Sequence, residues 1–279
     1  MNYRHAFHAG GFSDVLKHAV LALVIEHLKR KETPFCVVDT HAGVGAYDLA
    51  GTAAEKTGEW LGGIAKVIAD AESPPSLAPY LGTVRALNPS GDLRFYPGSP
   101  LVARHLLRPG DRLMACELHP EDAALLADTF RGDAQAKVSA LDGWLALKSF
   151  LPPKERRGLV LIDPPFEAPD EFDRIVRGLR DGLRRWATGI YLVWYPVKNR
   201  AAVADFHAGV AAAGIPRVLA AELSVAPLVD AGPIAGAGML VVNPPWQLDD
   251  ALRALLPWLA RTLGRDGGGA SRVVWLAGE

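Results

Sequence analysis

Short apolar runs of four to seven residues alternate along this chain with amphipathic stretches, the pattern of a mostly parallel α/β sheet wrapped by helices. The spacing predicts a first helix from Ser13 to Lys29, with Val15, Leu16, Ala19, Leu23 and Leu28 toward one face and Ser13 or Asp14 as its cap. The run PFCVVD (Pro34 to Asp39) reads as a buried strand, followed by a glycine-bearing turn from His41 to Gly45. The next buried strand, RLMACEL, closes at Glu117, a gap far longer than the ~30 residues of a simple βαβ unit. Two further helices fill that gap, one carrying Trp60, Leu61, Ile64, Val67 and Ile68, the other Leu77, Tyr80, Leu81, Val84 and Leu87. Residues 53–88 are therefore read as a helical insertion in a single domain spanning 1–279. Ser99-Pro100 then opens another helix, with serine as cap and proline in the first turn.

After Glu117 the rhythm is regular. Helices are expected near Glu121–Phe130, Gly143–Phe150, Asp170–Trp186 and Arg200–Ala213. Strands are expected at Lys137–Ala140, at GLVLID ending on Asp163, and at Gly189–Val197. The pattern then breaks: VLAAELSV (Val218 to Val225) and GMLVVN (Gly238 to Asn243) are joined by a glycine- and proline-bearing linker with no helical period. A parallel crossover needs a dozen or more residues, usually helical, so these two strands pair as an antiparallel hairpin. A parallel sheet closing in such a hairpin is the Rossmann-like layout of AdoMet-dependent methyltransferases, unlike the all-parallel sheet of nicotinamide dehydrogenases.

Composition narrows this picture. With 279 residues, 49% hydrophobic and 22% charged, the chain matches a globular α/β protein. No apolar run approaches the ~20 residues of a membrane-spanning helix. The first residues lack the layout of a secretory signal, so a cytoplasmic location is expected. Cys36 and Cys116, both inside strand-like runs, are expected as buried free thiols. A formal net charge of −1 argues against a strongly basic nucleic-acid-coating protein and leaves room for a local basic face. Five of the eight histidines fall within the first 41 residues, the first pointer to where chemistry concentrates.

The candidate chemistry sits at strand ends. In Asp39-Thr-His-Ala-Gly43-Val-Gly45, glycines after a strand let a ligand approach the backbone. Asp48 stands where a dinucleotide fingerprint would place its third glycine, so the spacing fits a methyltransferase cofactor loop instead. Glu117 ends the next sheet strand, where a carboxylate can bind both ribose hydroxyls or simply face solvent. Asp142-Gly143 can hold an adenine amino group or cap a helix. The sharpest motif is Asp163-Pro164-Pro165-Phe166, directly after a buried strand. An adenine amino nitrogen is a poor nucleophile because its lone pair is delocalised into the ring. A carboxylate and a carbonyl accepting its two hydrogens draw that lone pair out, the prolines fix the turn, and the aromatic ring stacks on the base. Asn243-Pro244-Pro245-Trp246 satisfies the same pattern. Chain order favours Asp163, which follows Glu117 and Asp142 in consecutive βα units, and makes the second motif a turn into the last helix.

Taken together, YRHAFHAGGFSDVLKH, DTHAGVG, YPGSPLVARHLL, ELHP, RRGLVLIDPPFE and TGIYLVWYPV resemble the RlmJ family, AdoMet-dependent 23S ribosomal RNA adenine-N6 methyltransferases, across essentially the whole chain. The resemblance implies AdoMet contacts from His18, His41, Ser99, Glu117, Asp142, Gly143 and Asp163, with Asp163 also the catalytic proton acceptor. It implies that Tyr3 touches the substrate RNA, that Pro164 and Phe166 meet the target base, and that this base is the adenine numbered 2030 of 23S rRNA. Naked or partly assembled rRNA is the expected partner, with no obligate protein partner, no membrane and no metal; S-adenosyl-L-homocysteine is the expected product. Phe166 stands where the family usually carries tyrosine, and keeps the ring without the hydroxyl. Lys17 matches a family lysine beside the cofactor pocket and equally suits a surface position on the first helix.

Two features remain open at this point. Arg174, Arg177, Arg180 and Arg184 recur on one side of a helix whose Phe172, Ile175, Leu179, Leu183 and Trp186 line the core, giving either an RNA-facing surface or an ordinary solvated one. Residues 2–8 carry aromatic rings and positive charge with no apolar period, and are expected to be mobile and to close over an extruded adenine. The rival functions are a DNA adenine methyltransferase, which would need a target-recognition domain beyond the short insertion, and a non-catalytic RNA-binding protein that keeps the shell.

Overall fold

The computed structural model describes residues 5–229, 232 and 234–278. In chain order the elements are α1 (Phe12–Lys29), β1 (Cys36–Asp39), β2 (Ala46–Asp48), α2 (Thr52–Thr57), α3 (Ile64–Ala69), α4 (Ala78–Leu87), β3 (Phe95–Pro97), α5 (Ser99–Leu106) and β4 (Arg112–Glu117). There follow α6 (Pro120–Thr129), β5 (Ala136–Ala140), α7 (Gly143–Ser149), β6 (Gly158–Ile162), α8 (Glu171–Arg185), β7 (Ile190–Pro196) and α9 (Arg200–Ala212). The chain closes with β8 (Val218–Ser224), β9 (Gly236–Val242), α10 (Leu248–Leu263) and β10 (Ala270–Ala277).

Eight strands form one sheet in the order β10-β8-β9-β7-β6-β1-β4-β5. The pairs from β7 across to β5 are parallel, while β9 runs antiparallel to both β7 and β8 as the hairpin reading expected. Because side chains alternate across a strand, the buried strands feed two cores. Val37, Leu113, Leu159, Leu161 and Leu192 face α1, α4, α5 and α10. Val38, Met114, Val160, Ile162 and Val193 face α7, α8 and α9. Ile64, Val67, Leu77, Tyr80, Leu81 and Val84 of the 53–88 segment join the first core beside α1. Cys36 and Cys116 are buried and free, and burial pushes both thiols up to about 12.

Two expectations need correction, and two features of the sheet add to the sequence reading. The N-cap of α1 is Gly11, with no side-chain cap; Asp14 is turned inward instead. The N-cap of α5 is Gly98, so Ser99 is the first helical residue and its hydroxyl is available for the sheet end. The gap before β4 also holds a small two-stranded sheet, β2 with β3, of three residues each. Finally, β10 adds an antiparallel edge strand against β8, after the glycine-rich loop near the C-terminus.

Candidate active site

The parallel strands all end at one edge, and a cavity of about 250 Å³ opens there. Among its lining residues are His41, Ser99, Glu117, Asp142, Gly143, Asp163 and Pro164, together with Lys17, Thr40, Gly43, Trp144, Glu171 and Arg174. Crossover connections deliver these groups from β1, β4, β5 and β6, the ordinary ligand edge of an open α/β sheet.

The turn after β1 is built by close approach. A Cβ on Gly43, at φ +63°, would lie 2.2 Å from the Tyr47 hydroxyl. One on Gly143 would meet the Thr40 carbonyl at 2.4 Å and the His41 ring at 2.7 Å. Packing against Tyr47, Thr40 and His41 therefore requires glycine at both positions, and both also line the cavity. The Thr40 hydroxyl donates to the Leu161 carbonyl at 2.9 Å, so the 2.8 Å contact to His41 must be a donation from His41 Nδ1–H. Burial lowers the His41 pKa to about 4, so the ring is neutral near pH 7 and Nε2 keeps its lone pair.

Each acid at the edge has a defined state of engagement. Glu117 accepts Gly43 N–H on Oε2 at 2.9 Å and His119 N–H on Oε1 at 2.7 Å, leaving one acceptor site per oxygen. Asp142 does both things that its position suggested: Oδ1 caps α7 by accepting from Trp144 and Leu145 N–H, while the residue lines the cavity. Ser99 Oγ donates to Asp39 Oδ2 at 2.6 Å, and His41 N–H donates to Asp39 Oδ1. Asp39 is buried, and burial first, then the charge of Asp163, raises its pKa to about 7.

Asp163 follows β6, and its carboxylate is held by a buried cation. Lys17 Nζ lies 2.5 Å from Asp163 Oδ2 and 2.8 Å from Asp14 Oδ1. Asp14 in turn accepts from His5 Nε2 at 3.0 Å and from Gly10 N–H. Burial opposes charge on both Lys17 and Asp14. The mutual attraction outweighs it, holding Asp14 well below the carboxylate range and Lys17 well above its usual value. The surface alternative for Lys17 is thus overturned: its side chain is 5% exposed and joins α1 to the Asp163 motif. A lysine and an aspartate three residues apart among the apolar positions of the first half of α1 were the signal, and only the tertiary fold supplies their partner.

Other expected residues lie elsewhere. His18 is fully buried, stacked on Tyr96 and bonded to its hydroxyl through Nδ1 at 2.7 Å; it does not line the cavity. Burial lowers its pKa to about 3, and its Nε2 has no partner among the described residues. Phe166, at φ 52°, packs edge-on against Phe172 and Trp194 rather than lining the cavity. Tyr3 lies outside the described residues. The described part of the N-terminal run departs from the mobile-tail expectation: His5–Phe7 form a 3₁₀ turn, His5 is tied to Asp14, and Ala6 packs on the core. Asn243 sits at the opposite sheet edge, because Val242 of antiparallel β9 pairs with Tyr191 at the start of β7. Its amide donates to the Ala187 and Gly189 carbonyls, each at 2.8 Å, so both N–H groups are occupied.

An open parallel sheet that closes in an antiparallel hairpin, with its ligand groups gathered at the parallel strand ends, is a Rossmann-like methyltransferase, and this protein belongs to that class. Comparison with known proteins carries the assignment further. The family model described as "Ribosomal RNA large subunit methyltransferase D, RlmJ" matches residues 32–277, and the chain is a member of the RlmJ family. It is 46% identical to ribosomal RNA large subunit methyltransferase J of Escherichia coli over 279 residues, covering 100% of both chains. The namesake from Haemophilus influenzae is 44% identical over 280 residues, again at 100% of both. The crystal structure of a Legionella pneumophila protein, 32% identical, superposes with a TM-score of 0.88 over 96% of this chain and 98% of that one.

Proposed function

We propose that this protein transfers the methyl group of AdoMet to the exocyclic N6 of a single adenine in 23S rRNA, the adenine numbered 2030, releasing S-adenosyl-L-homocysteine. The whole chain, 1–279, acts as one domain with 53–88 as a helical insertion. The observation that carries the reading is Asp163: an Asp-Pro-Pro carboxylate opening onto the same cavity as the Gly43 turn, Glu117 and Asp142.

The residues present suit AdoMet. Glu117 has one acceptor site per oxygen for ribose hydroxyls, and Asp142 has an oxygen beyond its cap bonds for an adenine amino group. Gly43, Gly143, His41 and Ser99 line the same space. When bound, AdoMet supplies an electrophilic methyl group. Among the described residues no group of His, Cys, Asp or Glu could hold a metal ion.

The chain's own part is to make N6 nucleophilic. Asp163 accepts one amino hydrogen of the adenine and the Pro164 carbonyl the other, and Asp163 takes the proton that N6 sheds. Lys17 occupies Oδ2, which fixes the carboxylate's rotation and leaves Oδ1 for the substrate. Pro164 and Pro165 fix φ, so the acceptor pair is preorganised. His18 and Phe166 support this arrangement from behind the lining, the first from α1 against Tyr96 and the second against Trp194.

The test is methylation by the purified protein of unmodified 23S rRNA, of assembled large subunits and of duplex DNA, with product nucleosides identified by mass spectrometry. The expected outcome is N6-methyladenine at one position in naked or partly assembled rRNA, none in DNA. Modification of DNA instead would move the protein to the rival class, and no transfer to any of them would reduce it to an RNA-binding shell.

A further inference from the structure

Among the described cavity-lining cations, Arg174 is the one that stands partly exposed at the rim, with a single loosely aligned acid partner. Lys17 is held between Asp14 and Asp163, and His5 is bonded to Asp14. Arg174 stands in the first turn of α8, at the rim, with its guanidinium over the Trp144 ring at 5.4 Å. Its acid partner is Glu171, through a 3.3 Å contact to Oε1 that lacks hydrogen-bond alignment and a long 3.4 Å bond to Oε2. A guanidinium has five N–H donors, so most of this one's remain available. The rest of the charged lining is acidic: Glu117, Asp122, Asp142, Asp163, Glu167 and Glu171. A polyanion that inserts a base toward Asp163 meets a wall that is mostly acidic, on which Lys17 and His5 are already engaged by carboxylates and Arg174 stands at the rim.

We propose that Arg174 receives a phosphodiester adjoining the target adenosine, using the Trp144 ring as a platform. The bidentate fork of arginine fits phosphate, and stacking on an aromatic face holds it in position without consuming its donors. This narrows the α8 arginine row to its first member. Arg177 and Arg184 are exposed and paired with Asp170 and Asp181, and neither they nor Arg180 line the cavity. The inference rests on the reading of the substrate as RNA given above.

The experiment measures binding and methylation of a 23S rRNA transcript over a series of monovalent salt concentrations, with AdoMet calorimetry alongside. Arg174→Ala should raise the Kd and KM for RNA about tenfold, the low end for a hydrogen-bonded charge, with kcat and AdoMet affinity within about twofold. The slope of log affinity against log salt should become shallower by about 0.7, the increment for one phosphate contact on a single strand. Arg174→Lys keeps the charge and should restore the slope while recovering only part of the affinity. Unchanged RNA affinity and slope in Arg174→Ala would overturn the proposal. So would a loss confined to AdoMet binding, which would assign the guanidinium to the cofactor. Because RNA binding is read apart from turnover, a wild type that binds the transcript without methylating it contradicts the function proposed above and still tests Arg174.

Discussion

Asp163-Pro164-Pro165-Phe166 and Asn243-Pro244-Pro245-Trp246 share a sequence pattern, and each turns through a left-handed residue, Phe166 at φ 52° and Asn243 at φ 54°. Strand direction separates them. The first follows β6, which runs parallel to β1, and so emerges among the groups of the cavity. The second follows β9, which runs antiparallel to β7, and so emerges at the far edge. Asp163 meets a buried lysine and keeps an oxygen for a ligand, whereas Asn243 gives both amide hydrogens to carbonyls of its own chain. Phe166 is packed among aromatic rings; Trp246 is 69% exposed. The tetrapeptide thus encodes a tight turn with an acceptor or amide at its start, and the sheet decides whether that turn becomes a site.

What the Asp163 end has and the Asn243 end lacks is Lys17, and removing it gives the largest expected effect. Lys17→Met leaves Asp14 and Asp163 without their shared cation. Urea unfolding should show a loss of about 3–5 kcal/mol, the cost of breaking a buried ion pair from one side, and turnover should fall with it. A variant with unchanged stability would mean that the lysine is not the structural partner of either carboxylate.

Asn243→Ala should be costly in a different way. Two hydrogen bonds at about 1 kcal/mol each and an alanine forced to positive φ at a further 1 kcal/mol or so predict a loss of about 2–3 kcal/mol. Asn243→Gly should recover the conformational part. Equal melting temperatures for the alanine and glycine variants would remove backbone strain from the explanation.

Glu117→Ala carries the comparison to the proposed cofactor loop. AdoMet and S-adenosylhomocysteine should bind about 1.5–3 kcal/mol more weakly, the scale of hydrogen bonds to a charged group. Calorimetry giving the wild-type affinity would take Glu117 out of the site.

The smallest effect at any one step is the pH dependence contributed by Asp39 at the cavity edge. The folded-state pKa of Asp39 is raised to about 7, above the ~3.9 of an unfolded chain. Between those values the folded state binds a proton that the unfolded chain has released, so stability falls as pH rises through that window. The slope from this one proton is at most about 1.4 kcal/mol per pH unit. Asp39→Asn should remove this contribution, so the stability difference between variant and wild type shifts toward the variant as pH rises through the window, while the opposing contributions of His18 and His41 stay in both proteins. An unaltered pH slope in the variant would place the dependence elsewhere.

Much of the sheet was legible because each buried strand is a short apolar run punctuated by glycine, proline or an acid. From β4 to β9 the expected boundaries fall within two residues of the observed ones. What escaped has physical reasons. The three-residue strands β2 and β3 are too short to display a period, and β10 is an edge strand that is half exposed and follows glycines. Serine and aspartate near a helix start suggested caps, but Gly11 and Gly98 occupy those positions because Asp14 and Ser99 are bonded inside the site. Strand-end acids announced themselves in chain order. The α1 contribution did not, since Lys17 and Asp163 are 146 residues apart and only packing of α1 against the sheet joins them.

The most direct measurement is the single-turnover rate of methyl transfer to 23S rRNA by Asp163→Ala and Asn243→Ala, each at saturating AdoMet and RNA and below its melting transition. The account predicts that Asp163→Ala loses about 10²–10⁴-fold or more, the scale of a positioned proton acceptor, with its circular dichroism unchanged, while Asn243→Ala turns over near the wild-type rate despite its lower stability. An active Asp163 variant beside an inactive, folded Asn243 variant would contradict it and move the chemistry to the other edge of the sheet.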